Sequence, residues 1–550
     1  MTTQTDNPDN SEVPAETINA SSKRAILVLL LAVSLISICA IIYEIIIAAV
    51  SSYLLGNSVY QFSITIGLFM SSMGLGSFLS KFFNRYLVNR FILIEIIIGV
   101  LGGVSSIILF NAYIIVESTV GYIAVMFTLI MAIGTLVGLE IPILTRIVAQ
   151  YESLRVTLAN VLAFDYVGAL IGSIAFPLLL LKYTGLIQTA FIIGFVNVLV
   201  AGLVLLHYWS DIEKRARVVV TVVLAGGFLA VASAYGGRIG VWLESNLYHH
   251  RILFSKQSKY QKIVVTERNP QTEISSKQPC ADSRQIKVIN RGGDVRLFIN
   301  MQLQFSSVDE FRYHEALVHP AMTLAKNRKN VLILGGGDGL ATREVLKYAE
   351  VQRIVLVDID PEITEICSSH NAIVALNGGS LSHPKVTIVN EDAYIFVERE
   401  RANQTFDVVI IDLPDPNDEG LSKLYSVAFY KLVGDILNPG GTMVTQSTSP
   451  FFARRAFWCI HQSIEEAGWN TYAYHVEVPS MGNWGFNLAS KTPCDVTDIR
   501  LTVETNFLTD DFVGAMFKFG KDVAEVETRL NKLLKPVLIF YYDDEKWRFY

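Results

Sequence analysis

Val331-Leu-Ile-Leu-Gly-Gly-Gly-Asp-Gly-Leu-Ala-Thr-Arg343 decides how the second half of this chain folds. Its first four residues, Val331 to Leu334, are an apolar run of the kind found in strands buried on both faces. Gly335, Gly336 and Gly337 then allow a sharp turn and a close approach to a ligand, because no Cβ stands in the way. Asp338 lies inside that turn, and Ala341 to Lys347 opens a helix. A second apolar strand, Ile354 to Val357, runs into Asp358 and Asp360. Strand, glycine turn, helix, strand and terminal acid form a nucleotide-binding βαβ unit, in which the acid holds ribose hydroxyls. The dinucleotide pattern G-x-G-x-x-G is incomplete, since its third glycine position is Leu340. An aspartate in the turn would also repel a pyrophosphate. The ligand expected is therefore a cation or a nucleoside without phosphate.

Outward from this turn the chain has two characters. At 550 residues it is long enough for several domains, and its mean hydropathy of +0.39 is high because apolar residues crowd the part before about residue 236. A formal net charge of −6 gives no reason to expect nucleic acid as a partner. The five cysteines, Cys39, Cys280, Cys367, Cys459 and Cys494, form no C-x-x-C pair, so neither a disulfide framework nor a zinc site is expected. Residues 1–24 are polar and expected to be disordered. A secretory signal is not expected, since the apolar run that follows reaches spanning length without a small-residue cleavage site.

Residues 25–236 read as a membrane domain of about seven helices, near 25–50, 60–80, 91–114, 121–145, 157–181, 186–208 and 217–235, each near the ~20 residues that cross a bilayer. Three acids, Glu44, Glu140 and Asp165, fall inside or near the ends of these spans. Such acids hold a cationic solute, for example a polyamine, or pair with a nearby base; pairing with Arg146 or Lys182 is the preferred expectation. Gly67, Gly74 and Gly76 are expected to let the second span pack closely on a neighbour. After Gly240 the pattern becomes that of a soluble region. Lys262–Thr266, Gln285–Ile289 and Val295–Ile299 read as strands of a small β domain over 247–310, with a loop near Asn269–Arg284. Over 311–500, a helix from Asp309 precedes the glycine turn, and Lys385–Val389, Phe406–Ile411 and Gly441–Thr445 are further strands between helices. That alternation is the mark of a doubly wound α/β sheet. Residues 501–550 form an extension with no assigned role.

In open α/β sheets ligands collect at the carboxyl ends of the strands, and Asp338, Asp358, Asp392 and Asp412 stand at four such ends. A single strand-end acid is usually a turn former; four in succession beside a glycine turn point to a nucleoside site. Asp412 leads into Leu413-Pro-Asp-Pro416, where two prolines stiffen the loop. They hold Asp412 and Asp415 over one crevice, able to bind an amine and take its proton. No H-x-x-x-H ligand pattern is present. His314 is expected as a hydrogen-bonding pocket residue and His319 as a helix-end residue before Pro320.

These residues resemble a known family. Gly335-Gly-Gly-Asp-Gly339, Asp309-Glu-Phe-x-Tyr-His-Glu315, Tyr260-Gln261 and Asp412-x-x-Asp-Pro416 are together similar to the spermidine synthase (polyamine aminopropyltransferase) family over about 247–490. The membrane region resembles its bacterial multi-pass form. The resemblance implies an α-helical multi-span membrane domain, then a small β domain and an α/β Rossmann-like (S-adenosylmethionine-dependent methyltransferase-like) domain. It implies transfer of the aminopropyl group of decarboxylated S-adenosylmethionine, a co-substrate rather than a cofactor, to a diamine, with putrescine the first choice. Spermidine and 5′-methylthioadenosine would be the products, and no metal is required. Gln261 would contact the donor nucleoside, Asp358 its ribose, and Asp392 with Ala393 its adenine, over the turn formed by Gly335 and Gly337. Asp338 would bind the aminopropyl ammonium and repel the carboxylate of intact S-adenosylmethionine. Tyr313, His314, Gln304 and Asp415 would line the amine side, and Asp412 would take the proton. The expected partners are these small molecules, membrane lipid and further copies of the chain, as a homodimer or homotetramer.

Three departures from the family pattern fall on the acceptor side. Asn417-Asp-Glu-Gly-Leu-Ser-Lys-Leu424 replaces the usual Gly-Pro and Glu-Ser-Leu, Pro479-Ser-Met481 replaces Pro-Thr-Tyr, and Asn300-Met301 replaces Asp-Gly. A polyamine transporter or sensor with a nucleoside-binding domain is the alternative of another class, and a methyltransferase is the nearby enzyme alternative. The basic loops (Lys81, Arg85 and Arg90; Arg146 and Arg155; Lys214, Arg215 and Arg217) go to the cytoplasm with the N-terminus. An odd number of spans then carries the catalytic half to the opposite side, whereas adenosine-derived substrates are cytosolic, so either one span is miscounted or the catalytic half faces outward.

Overall fold

The computed structural model describes residues 20–543 apart from 57, 117, 152, 249, 269–292 and 498. The polar tail expected over 1–24 lies outside the described residues up to residue 19, as do the expected strand Gln285–Ile289 and the loop before it. The chain divides into two compact units, with the boundary between Leu243 and Glu244.

The first unit is helical: α1 (Ala20–Leu55), α2 (Ser58–Leu79), α3 (Leu87–Ile115), α4 (Thr119–Val148), α5 (Leu154–Ala175), α6 (Leu181–His207) and α7 (Arg215–Tyr248). Among the described residues, six runs of helix are long and apolar enough to cross a bilayer by length and composition. One of them, Leu154–His207, joins α5 to α6 and holds 54 residues. At ~1.5 Å rise per residue it would measure roughly 80 Å, far more than the ~30 Å of a hydrocarbon core. Gly185 divides it: its φ of 70° and ψ of 177° are not helical. The sequence-based division between residues 181 and 186 falls close to this break. The close packing expected of Gly67, Gly74 and Gly76 holds only for the last. A Cβ on Gly76 would stand 2.0 Å from the Thr135 carbonyl of α4, whereas Gly67 and Gly74 face open space. Gly67 and Gly74 lie on an outward side of α2, which periodicity in an all-apolar helix does not reveal.

The second unit contains two sheets. The smaller is an antiparallel meander of β1 (Arg251–Gln257), β2 (Lys262–Arg268), β3 (Asp294–Ile299) and β4 (Gln302–Ser306). Its β3–β4 hairpin turns through Asn300 and Met301, both at positive φ (47° and 69°), the backbone of a two-residue type I′ turn. The larger sheet is built from β5 (Asn330–Gly335), β6 (Arg353–Val357), β7 (Val386–Val389), β8 (Phe406–Asp412), β9 (Leu437–Gln446), β10 (Asn470–Val478) and β11 (Gly482–Ser490). The order is β10-β11-β9-β8-β5-β6-β7, with β9, β8, β5, β6 and β7 parallel and the β10–β11 hairpin antiparallel. Val331 to Leu334 and Val408 to Ile411 are fully buried, as central parallel strands covered on both faces must be. Strand order reverses between β5 and β8, so a crevice opens at their carboxyl ends.

Helix α8 (Glu310–Leu324) crosses Pro320 and does not stop there. Pro320 cannot donate to the Ala316 carbonyl, and the Tyr474 hydroxyl donates to that carbonyl instead, at 2.8 Å. His319 is therefore mid-helix and buried, with Nε2 3.0 Å from Glu344 Oε2 and Nδ1 3.0 Å from the Tyr348 hydroxyl. The extension after residue 500 is tied to the same helix. Glu315 accepts the backbone N–H groups of Asn506, Phe507 and Leu508. The last element among the described residues is a short helix, Leu538–Asp543.

Candidate active site

The glycine turn follows α8 and β5 and is pressed between two acids. Gly335 pairs with Asp412 across β5 and β8, and Gly336 N–H donates to the Asp412 carbonyl at 3.0 Å. Gly335 has φ +82°, and a Cβ there would lie 2.1 Å from that carbonyl. On the other side, a Cβ on Gly337 would lie 2.5 Å from Asp358 Oδ2. Helix α9 (Leu340–Leu346) begins directly afterwards. No residue with a side chain fits either position without displacing one of the acids.

A cavity of ≈ 310 Å³ opens over this turn. Every candidate residue lines it: Gln261 before β2, Gln304 on β4, Tyr313 and His314 on α8, Gly335, Gly337 and Asp338 in the turn, Asp358 after β6, Asp392 and Ala393 after β7, and Asp412 and Asp415 after β8. The first sheet thus walls the side facing the strand ends of the second.

At the glycine-turn end each acid accepts at least one backbone amide from its own loop or from the turn beside it. Asp358 accepts from Gly337 N at 3.2 Å and Asp360 N at 2.9 Å. Asp392 caps the following helix by accepting from Tyr394 N at 2.8 Å, and its second oxygen meets Lys423 Nζ at 2.7 Å. Asp338 accepts from Leu340 N at 2.8 Å. Burial pushes Asp358 up to about 6, against the help of these amides, and also raises Asp338.

At the proline-loop end the acids are held by side chains from distant sequence. The Tyr313 hydroxyl donates to Asp412 Oδ1 at 2.7 Å. Asp415 accepts the Tyr542 hydroxyl at 2.9 Å on Oδ2 and Gln446 Nε2 at 3.4 Å on Oδ1. Burial pushes both acids up to about 6; for Asp412 the Asp338 charge adds to it, and His314 and Tyr313 oppose it. A base with its transition near neutral pH is well matched to proton transfer. Between the two ends His314 places Nε2 4.0 Å from Asp338 Oδ2, with Nδ1 3.0 Å from Glu310 Oε2. Burial disfavours its charge, but the Glu310 hydrogen bond and the Asp338 charge outweigh this and push it up to about 9. Arg343 clamps Glu310 with two bonds, 2.8 and 2.9 Å.

The chemistry of this cavity is acidic at one end, apolar along Leu297, Ile299 and Trp484, and acidic again at the other. It suits a ligand that carries hydrogen-bond donors or cationic groups at its ends and an apolar part between them. Comparison with known proteins decides the class. Residues 310–499 match the spermine/spermidine synthase domain. A polyamine aminopropyltransferase of Oceanobacillus iheyensis is 40% identical over 529 residues, covering 94% of this chain and 96% of that protein. One of Leptospira interrogans is 40% identical over 523 residues, covering 94% and 98%. The chain belongs to the polyamine aminopropyltransferase family. A solved spermidine synthase in complex with the transition-state analogue AdoDATO is 28% identical, covers 50% of this chain and 87% of its own, and has a TM-score of 0.42.

For an aminopropyltransferase, the residues overlooked in the sequence are instructive. Glu310 lies four residues before His314, a spacing that puts both on one helical face, so its role was open to inference. Lys423, Gln446 and Tyr542 carried no comparable signal. Met481 lines the cavity without a hydroxyl; the preceding Ser480 is fixed by Asp309, which accepts from its N–H at 2.6 Å and its Oγ at 2.7 Å. Tyr542 comes from beyond the 310–499 match.

Proposed function

We propose that this chain is a membrane-anchored enzyme that moves the aminopropyl group of decarboxylated S-adenosylmethionine to putrescine, releasing spermidine and 5′-methylthioadenosine. One observation carries the reading: Asp338 and Asp412, on adjacent strand ends, face one cavity with His314 and Tyr313 between them. In this reading Asp358 holds the ribose hydroxyls, while Gln261, Asp392 and Ala393 surround the adenine over Gly335 and Gly337. Asp338 takes the aminopropyl ammonium. Tyr313, His314, Gln304 and Asp415 orient the diamine.

The amine reaches the site as an ammonium and must lose a proton to become a nucleophile. Asp412 accepts that proton, kept in place by the Tyr313 hydroxyl. The amine nitrogen then forms a C–N bond to the carbon next to the sulfonium, and the C–S bond breaks with its electron pair left on sulfur. The neutral thioether that leaves is 5′-methylthioadenosine. Displacement at a sulfonium needs alignment of the two reactants more than covalent help, and the cavity supplies it with fixed carboxylates at both ends.

The six long apolar runs support insertion of the helical unit in a bilayer. Many of their outward residues, such as Leu27, Leu31, Met70, Leu170, Leu203 and Leu224, are large and apolar, which lipid tolerates and water does not. The test of activity is release of 5′-methylthioadenosine from decarboxylated S-adenosylmethionine across a panel of diamines. Release only with a diamine, fastest with putrescine, is the expected outcome. Absence of turnover with every diamine overturns the reading.

A further inference from the structure

Lys423 lines the catalytic cavity among its aspartates, yet no step of the proposed reaction uses it. Its segment, Asn417–Leu424, is expected from the sequence on the acceptor side, but the structure sends this side chain to the glycine-turn end. A short helix, Glu419–Ser422, leads into the turn Lys423–Tyr425, and the Lys423 ammonium reaches Asp392 Oδ2 at 2.7 Å. The other Asp392 oxygen is taken up by capping, accepting Tyr394 N–H at 2.8 Å. Oδ2 is therefore the oxygen left for a ligand, and the ammonium lies beside it. An ammonium has three donors. Asp392 takes one, and the Tyr394 ring centroid lies 5.9 Å away, so donors remain. The two side chains are 32% and 21% exposed, and an ion pair this open to solvent adds little to stability. Lys423 also differs from the bases expected to pair with acids in the helical unit. Arg146 donates instead to the Pro142, Phe83 and Ser80 carbonyls, and Lys182 stands over the Tyr183 ring.

We propose that Lys423 and Asp392 together read the amino edge of the co-substrate's adenine. Asp392 accepts from the amino group, and Lys423 donates to a ring nitrogen beside it, N1 or N7. Lys423 is then a specificity residue for the nucleobase, an inference that rests on the nucleoside reading of this cavity. Adenine presents a hydrogen-bond donor next to an acceptor, and the protein offers an acceptor next to a donor, held 2.7 Å apart. Strand order supports the placement. Asp358 follows β6 and Asp392 follows β7, the next strand outward, so a nucleoside with its ribose at Asp358 directs its base at the pair. Val357, Ile359, Ala393, Leu413 and Leu424 line the same cavity and supply apolar surface for a flat base to cover. A base with a carbonyl oxygen in place of the amino group would turn that oxygen toward the Asp392 carboxylate and be rejected.

The test uses 5′-methylthioadenosine, so that recognition of the base is measured apart from transfer. Full-length protein in lipid nanodiscs is titrated by calorimetry with 5′-methylthioadenosine and with its 1-deaza and 7-deaza analogues. Each analogue replaces one ring nitrogen beside the amino group by C–H. At least one is expected to bind wild type about 10-fold or more weakly than the parent, the loss that follows from removing a hydrogen bond to a charged group. In Lys423→Met, which keeps the length and removes the charge, 5′-methylthioadenosine itself is expected to weaken by a similar factor. The penalty on one analogue is expected to vanish there, and that analogue names the nitrogen. A lysine that only anchored its loop would weaken all three nucleosides together and leave their ratios as in wild type. Equal binding of the three to wild type overturns the inference whether or not the variant folds, and so do ratios unchanged in Lys423→Met; both leave the nucleoside reading standing. Failure of that reading would appear instead as no binding of 5′-methylthioadenosine to wild type, which removes both.

Discussion

The two ends of the catalytic cavity hold their acids by different means. At the glycine-turn end, Asp338, Asp358 and Asp392 each accept backbone N–H groups from within two residues of themselves or from the turn beside them. At the proline-loop end, Asp412 and Asp415 accept phenol hydroxyls from residues 99 and 127 positions away. A backbone amide is lost only on substitution by proline, so apart from the Lys423 partner of Asp392 the first end survives most replacements. A phenol can be exchanged for another group by a single replacement. The proposed donor end is built to stay the same, and the proposed acceptor end is built so that its amine preference can change.

The largest expected effect tests whether the ends act separately. Asp412→Asn keeps the shape and removes the base; general-base catalysis contributes ~10²–10⁴-fold, so kcat is expected to fall by about 10³-fold. Binding of decarboxylated S-adenosylmethionine, followed by calorimetry, is expected to stay within about threefold, since hydrogen bonds to uncharged partners are worth only ~0.5–1.5 kcal/mol. Joint loss of donor binding and turnover would break the comparison. Asp358→Asn is the reciprocal case. Removing a charged acceptor costs ~1.5–3 kcal/mol, or roughly 10- to 150-fold in donor KM. The KM for putrescine, measured at saturating donor, is expected to remain unchanged.

This difference in construction also explains what the sequence revealed. Val331-Leu-Ile-Leu334 and the three glycines signal strand and turn because their conformations are local. Asp338, Asp358 and Asp392 follow as strand-end acids because a parallel sheet places its strand ends together. The β10–β11 hairpin was missed because its alternation is weak: Gly482 to Ser490 is buried along most of its length. Helix α8 was expected to end near Pro320, and only the Tyr474 hydroxyl from a remote strand lets it continue. Tyr542 was beyond reach for the same reason, since nothing near it in sequence says which carboxylate its hydroxyl will meet. In the helical unit, Glu44, Glu140 and Asp165 were visible as acids, but their convergence on one cavity depends on how three helices pack.

The smallest effect is the most informative about the acceptor end. Tyr542→Phe removes one hydroxyl and leaves the ring, so the packing of the short helix Leu538–Asp543 that carries it is preserved. A hydrogen bond of this kind contributes ~1 kcal/mol, and the KM for putrescine is expected to rise about fivefold with little change in kcat. The pH profile separates this from a general loosening. At saturating donor, kcat/KM for the amine is expected to fall as pH drops through about 6, the value to which burial pushes Asp412 and Asp415. Burial raises Asp415, and the Tyr542 hydrogen bond is the foremost of the bonds that hold it down. Without that bond the carboxylate is protonated at a higher pH, so the acid limb is expected to move upward. Gln446 and Asp412 are left in place, so no change is expected on the alkaline side. A raised KM with an unmoved acid limb would mean that Tyr542 only fills space, and that the acceptor end does not depend on its distant phenol.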